Sequence, residues 1–333
     1  MKRLWQFLFA WVVALSVTSA LSHAAVRLLG IKAKAGFYRV FGSEFGKPVA
    51  ALYGSSPAFD GLDWNQVGQS LCGGLANWGI PGSSPTEWEM MQLRAPDAVR
   101  TFIVVSPYDL NDYFLCDFRA EIVPMGKTLA QLREAGVDLP FSRKILSQYP
   151  LALVRRLFPT AGRSGGVMVG VRHWLTKWTG RSDSRTRIED RVPLFGSTGP
   201  NMIRDKLTDW DTARLQRRIE MTREGCQGKQ WFDGLKKRAL IRMVRLAAAH
   251  GKVTLVVMPM SPIYEQAFLT PQAVRDLDQA LADVQAAGAN TPIIRLDHLP
   301  ALHNNDVFWD MVHLNMDGQK IATAALLEEI RTH

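Results

Sequence analysis

Three rhythms of apolar and polar positions divide the chain. Residues 4–26 carry no charged side chain, after Lys2 and Arg3 and before Arg27. An uncharged run of that length suits one membrane-spanning helix or a signal peptide. From residue 48 the pattern changes to short apolar runs alternating with longer stretches of helical period. PVAALYG (48–54) and TFIVVS (101–106) read as buried strands. LKKRALIRMVRLAAAHGKVTLVVMP (235–259) reads as an amphipathic helix, a terminating Gly251 and an apolar strand. TPQAVRDLDQALADVQAAG (270–288) is a further helix leading into PIIRLDHL (292–299), and GQKIATAALLEEIRTH closes the chain as a helix capped by Asn315 or Asp317. Strands alternating with helices predict an α/β fold, a mainly parallel sheet covered by helices on both faces. In such sheets the working groups gather at the carboxyl ends of the strands.

Between about residues 119 and 235 this alternation breaks. From Leu139 to Ile188 there are ten Lys or Arg residues and a single acid, Asp183. Glycines cluster in TAGRSGGVMVG, and LALVRRLF and HWLTKW mix bulky apolar with cationic side chains. The expected organisation is therefore an N-terminal anchor or signal over residues 1–30 and an α/β domain over 45–333. A basic helical cap is inserted at about 119–235. Two readings of the cap stand side by side: a solvated helical lid, or a surface that rests on anionic headgroups or guides an anionic substrate.

Composition narrows the partners. A chain of 333 residues with 47% hydrophobic and 21% charged residues has enough apolar material for a sizeable core. The formal charge of +9 implies an anionic neighbour. No nucleic-acid module is present. Positive charge on the short leading end predicts that this end stays in the cytoplasm. The remainder then lies beyond the inner membrane, as a single-pass protein with a periplasmic domain. Cleavage near Ser22-His23-Ala24, releasing the protein to the periplasm, is the alternative. Cys72, Cys116 and Cys226 are too scattered for a disulfide framework or a metal site, although one pair could bridge. No dinucleotide- or nucleotide-binding glycine loop occurs, and no cofactor or metal is expected.

Candidate chemistry sits in two places. Gly-Ser-Ser-Pro occurs at Gly54–Pro57 and again at Gly82–Pro85, each time where a helix would start. Near the end, VFWDMVHLNMDG holds Asp310 and His313 three apart. A serine hydroxyl needs an adjacent base to accept its proton, and a carboxylate on the far ring nitrogen orients the imidazole. Asp-x-x-His can deliver both groups from one tight loop, but Asp and His also cap helices, and Ser56 followed by Pro57 also suits an N-cap. His298 and His303 lack a third metal ligand at fixed spacing and read as ordinary histidines. Met258, Met260 and the tryptophans read as core or membrane-facing residues.

An apolar strand ending in Gly54-Ser55-Ser56, then NWGIPG, then an Asn/Asp-rich turn after the next strand, then Asp-x-x-His before the last helix: in this order, these elements resemble the SGNH (GDSL-like) hydrolase superfamily. The nearest likeness is to its membrane-anchored envelope branch, which includes D-alanyl-transfer and alginate-acetylation proteins. The resemblance covers residues 48–115 and about 235–333 and implies a three-layer sandwich. It also implies Ser56 as nucleophile, with Ser55 as rival, Asp310 and His313 as its partners, and Gly82 (or Gly79) as a backbone oxyanion donor. The family's Gly-x-Asn-Asp is absent; Asn111, in the turn SPYDLND, is the nearest side-chain amide and either a donor or a turn residue.

The implied function is transfer or hydrolysis of small acyl groups outside the cytoplasmic membrane. An acyl donor and an envelope or extracellular polysaccharide, or another hydroxyl acceptor, are its expected partners, beside a multispanning membrane acyltransferase. A non-catalytic scaffold binding polysaccharide or a membrane partner, and a lipase-like esterase, are the competing readings.

Overall fold

The computed structural model describes residues 2–28, 50–71, 75–94, 98–116, 119–136, 139–161, 171, 203–289 and 291–332. The glycine-rich TAGRSGGVMVG beyond its first two residues and the whole HWLTKW stretch of the predicted cap lie outside the described residues, as does Cys72. Five strands form one sheet in the order β2-β1-β3-β4-β5: β1 (Ala50–Tyr53), β2 (Leu75–Asn77), β3 (Arg100–Val105), β4 (Lys252–Val257) and β5 (Ile293–Arg295). Every pairing is parallel, with Ala50 opposite Arg100 and Val105 opposite Val257.

Burial on both faces explains why these strands read as continuous apolar runs. Successive side chains point to opposite faces of the sheet. Ala51, Tyr53, Ile103, Val105, Leu255 and Val257 belong to one core, with Trp88, Met243 and Leu277 from the covering helices. Ala50, Leu52, Phe102, Val104 and Val256 belong to the other, with Trp64, Tyr264, Phe308 and Leu326. Met258 and Met260 sit in this second core. The helices that supply these residues include α3 (Trp64–Ser70), α4 (Pro85–Gln92), α11 (Leu235–His250), α12 (Pro262–Phe268), α13 (Pro271–Ala286) and α14 (Met316–Thr332). The α/β architecture expected from the alternation is what the chain adopts.

The chain steps outward from β1 to β2, then returns to the other side of β1 to make β3. The connections therefore diverge between the carboxyl ends of β1 and β3, the switch point where open α/β sheets form their crevice. Residues after these two strands, α2 (Ser56–Gly61) and α5 (Pro107–Leu110), begin at that crevice. Between β3 and α11 lie α6 (Arg119–Ile122), α7 (Met125–Ala135), α8 (Leu139–Leu146), α9 (Gln148–Leu157) and α10 (Thr212–Gly225). The first helix, α1 (Lys2–Leu28), is long and apolar enough to cross a membrane.

One buried ionic network fastens the helices beside the crevice. Glu87 of α4 is fully buried and pairs with Arg119 of α6 at 3.1 Å. Arg119 also donates to Gln131 Oε1 at 2.5 Å, and Gln131 Nε2 donates to Glu89 at 3.1 Å. Glu89 accepts both Arg242 Nε (2.8 Å) and Nη2 (3.0 Å) from α11. Burial alone would raise the Glu89 pKa, but the hydrogen bonds and charges of Arg242 and Lys127 outweigh it and hold the carboxyl below its usual range. Removing one member of such a pair leaves a bare buried charge. Arg119→Ala should cost about 3–5 kcal/mol, while Arg119→Met combined with Glu87→Gln should cost less. Urea unfolding of the two variants measures the difference.

Candidate active site

The crevice is built first by the turn after β1. A Cβ on Gly54 would stand 2.3 Å from Ala58 Cβ and 3.0 Å from the Val104 carbonyl, so only glycine lets α2 fold back this closely. Ser55 is the N-cap residue of α2 but makes no side-chain cap bond. Its hydroxyl instead donates to Asp109 Oδ1 at 2.5 Å. Asp109 Oδ2 accepts the Ser106 N–H (3.0 Å) and hydroxyl (2.8 Å). Burial pushes the Asp109 pKa up, and the bonds from Ser55 and Ser106 and the charge of Lys236 oppose that rise only in part. Ser55 is thus a strut between the ends of β1 and β3, not a free hydroxyl. Ser56 is the first residue of α2 rather than its N-cap.

The second part arrives from the far end of the chain. Phe308 and Leu314 form an antiparallel bridge, and the Trp309 N–H donates to the His313 carbonyl at 3.1 Å, closing a tight loop. Inside it, Asp310 Oδ1 accepts the N–H groups of Val312 and His313, both at 2.8 Å. Both Asp310 oxygens lie 2.9 Å from His313 Nδ1. The Trp309 ring stacks on the imidazole at 5.1 Å and 17°. His313 Nε2 then stands 2.7 Å from Ser56 Oγ. The structure therefore brings Ser56, His313 and Asp310 into one hydrogen-bonded chain.

Electrostatics follow from that chain. Burial disfavours the imidazolium, yet the charge and hydrogen bond of Asp310 outweigh it, and His313 titrates above its ordinary value. Burial would raise Asp310, but the His313 charge, its ring N–H and two backbone N–H groups hold the carboxyl below the usual range. Asp60, one turn beyond Ser56, is a second carboxyl in this neighbourhood. Burial and the charge of Asp310 raise its pKa against the pull of His313. Arg218 of α10 reaches Asp310 Oδ2 at 3.8 Å and lowers the His313 pKa slightly.

A cleft of about 360 Å³ opens beside Ser56. Gly82 lines it with φ of 74°, a conformation glycine adopts without strain. Among the described residues, no acceptor takes the N–H of Gly82 or of Ser56. The Gly79 N–H, by contrast, is bound to Asn77 Oδ1 at 2.8 Å. The second Gly-Ser-Ser-Pro copy otherwise serves structure: Ser84 starts α4 in a capping box with Glu87, and Ser83 Oγ accepts Trp88 Nε1 at 2.6 Å.

Asn111 corrects the sequence expectation. Its amide donates to the Lys229 carbonyl (2.9 Å) and Gln230 Oε1 (3.0 Å), while its oxygen accepts the N–H groups of Tyr113 and Trp231. Fully buried and with both amide hydrogens taken, it ties the 229–231 segment to the β3 turn and has no donor left for the cleft. His298 lies 2.7 Å from Arg295, and His303 lies 3.3 Å from Glu265, both on the exposed surface. Cys116 and Cys226 are both buried and do not bridge to each other. Among the described residues no three His, Cys, Asp or Glu side chains converge on a metal position.

Sequence reasoning did not single out Asp109, Asp60, Trp309, Lys144 or Arg218. Lys144 and Arg218 lie in the basic segment and line the same cleft as Ser56. Charge density marked that segment, but nothing in the pattern says which cations turn toward the crevice.

No family model and no curated protein matches the chain. Among solved structures, the chain is similar to one from Streptococcus pneumonia, provisionally described as a platelet activating factor. The identity is 10%, the TM-score is 0.41, and 99% of each chain is covered. A likeness at that level shows neither family nor activity, and the site stands on its own geometry.

A neutral imidazole is the form that accepts a proton, so a raised His313 pKa means the base is lost earlier as pH falls. The acid limb of any Ser56-dependent rate should therefore lie above the pH of an ordinary histidine. Asp310→Asn should move that limb to lower pH and depress the plateau, and Arg218→Ala should move it higher. NMR titration of the His313 ring reads the same shifts without substrate.

Proposed function

We propose that the protein performs serine-dependent acyl-ester chemistry, through a covalent acyl-Ser56, outside the cytoplasmic membrane. The observation that carries this reading is the continuous hydrogen-bonded chain from Ser56 Oγ through His313 to Asp310 at 2.7 and 2.9 Å. These separations lie within the reach a general base needs. Resemblance of the residue order to the anchored SGNH branch supports the same assignment.

In the proposed cycle His313 Nε2 takes the Ser56 proton as Oγ bonds to the acyl carbonyl carbon. The carbonyl π electrons move to oxygen, and the N–H groups of Gly82 and Ser56 are the candidates to receive that charge. Collapse of the tetrahedral adduct breaks the bond to the leaving group, which departs with the proton held by His313. An acceptor hydroxyl, or water, then gives its proton to His313 and attacks the acyl-Ser56. Ser56 leaves as the acyl group moves on, and His313 returns the proton to it. Asp310 stays ionised throughout, fixing the tautomer and balancing the imidazolium. Trp309 keeps the ring in plane by stacking on it.

The cleft favours an anionic substrate or acceptor, because Lys144 and Arg218 line it. Asp109, the acid beside them, is fully buried and bonded to Ser55 and Ser106. An envelope or extracellular polysaccharide that bears negative charge fits this lining. Residues 2–28 support attachment to the inner membrane as a signal anchor. Supply of the acyl group by a multispanning membrane acyltransferase agrees with that attachment.

A fluorophosphonate probe should label the full chain at one site. Ser56→Ala should abolish the label while leaving the circular dichroism unchanged, and Ser55→Ala should keep the label on Ser56. Full labelling of Ser56→Ala would end this assignment. With a small acyl ester as donor, turnover to an anionic sugar acceptor should exceed turnover to a neutral one, and Arg218→Ala should remove that preference through KM more than kcat.

A further inference from the structure

The carboxyl-terminal part of α1 is tied to the end of α9. Ser19 Oγ donates to the Leu157 carbonyl at 2.5 Å, Ser22 Oγ lies 2.8 Å from Thr160 Oγ1, and the Thr160 N–H donates to Ser22 Oγ at 3.1 Å. From Lys2 to Ser22 a helix rises about 30 Å. That is about the thickness of a bilayer's hydrocarbon core. If Lys2 and Arg3 stand at one boundary of the membrane, Ser19 and Ser22 stand at the other, and they hold the end of α9 there.

The composition of α9 suits that position. Leu153, Val154 and Leu157 are 61%, 43% and 53% exposed, and Leu157 lies four residues from Leu153 and three from Val154, the spacings of one helix face. Ala152, toward the opposite side, is buried, and Arg155 turns inward to Glu121 at 2.9 Å. Arg156 on α9 and Arg143 on α8 are exposed cations near this stripe in the chain. An exposed apolar stripe facing water is a liability for a soluble protein. Beside a membrane it is the contact that an interfacial helix makes, with neighbouring cations drawn to anionic headgroups.

We propose that α9 lies on the anionic phospholipid surface that meets the carboxyl-terminal end of α1, as a second membrane attachment of this chain. The inference rests on the reading of α1 as a span and is independent of the chemistry assigned to Ser56. It has a consequence for the active site. Lys144 of α8 and Gln148 of α9 both line the Ser56 cleft. Docking of α9 would therefore set two residues of that cleft's lining on or next to the helix that meets the bilayer surface.

The test uses the full chain in vesicles of phosphatidylcholine and phosphatidylglycerol, in a Cys72→Ser background. Leu153→Cys and, separately, Val274→Cys on α13 carry an environment-sensitive fluorophore. Both positions are exposed, and Cys116 and Cys226 are buried. A nitroxide on the upper acyl chain of the lipid should quench the label at 153 several-fold more than the label at 274. Arg156→Ala should lower the docked-to-undocked ratio about fivefold, the worth of one basic residue near an anionic surface. Equal quenching at 153 and 274, with the chain still resisting alkaline extraction, would overturn this proposal alone. Extraction of the chain by alkali would overturn it together with the span. A label at 153 shielded from aqueous iodide but not quenched by lipid would mean that protein covers the stripe, and would equally overturn it. Quenching unchanged by omission of phosphatidylglycerol would overturn the anionic character of the surface.

Discussion

A hydrogen bond of 2.7 Å between Ser56 and His313 joins positions 257 residues apart, and the chemistry proposed for the site depends on it. Neither partner can adjust far to save it. Ser56 is held by the turn after β1, where Gly54 packs against Ala58 and Ser55 is strutted to Asp109. His313 is held by the Phe308–Leu314 bridge, the Asp310 carboxylate and the Trp309 ring. Proton transfer falls off steeply beyond hydrogen-bond reach, so rigidity on both sides is what makes the contact useful.

That rigidity is inherited from the sheet. The parallel register of β1 and β3 brings Ser55, which follows β1, to Asp109, which follows β3, and the two buried cores cover the strands from either side. Polar groups near the crevice are also fastened. Glu87 and Arg119 form a pair with almost no exposure, and Lys236 donates to the carbonyls of Asn111 and Phe114 at 2.7 Å each. Such buried charges add little net stability, but each penalises a displacement that would leave its partner bare.

Charge and apolar surface are arranged with similar consistency on the side of α1. Cations in the basic segment serve two directions, with Lys144 and Arg218 toward the cleft and Arg156 toward the exterior. On the two proposals above, these cations would meet two anions, the substrate in the cleft and the phospholipid surface. The contact between Ser22 and Thr160 links both to the apolar N-terminal helix.

Local pattern alone made several features legible. Continuous apolar runs announced strands buried on both faces, because side-chain burial on a two-sided sheet leaves no polar alternate positions. The 23-residue uncharged stretch announced α1, and Gly-Ser-Ser-Pro twice announced helix starts. Ser56, Asp310 and His313 were legible as chemistry-bearing side chains in turns. Local pattern does not give their meeting, which only the order of motifs in the SGNH resemblance implies, since no local rule carries distance across 257 positions. Asn111 shows the reverse: its type and place suggested an oxyanion donor, but packing against residues 229–231 spent both its amide hydrogens. Likewise Asp109, Lys144 and Arg218 are ordinary polar residues in the sequence and become part of the cleft only where the turn after β3 and the helices α8 and α10 come together. Strands, helices and an apolar N-terminal segment are written in periodicity over a few residues, so each is visible in its own stretch of chain. Which hydroxyl, imidazole and cations share one space was decided by the tertiary structure, because that depends on how distant segments pack against one sheet.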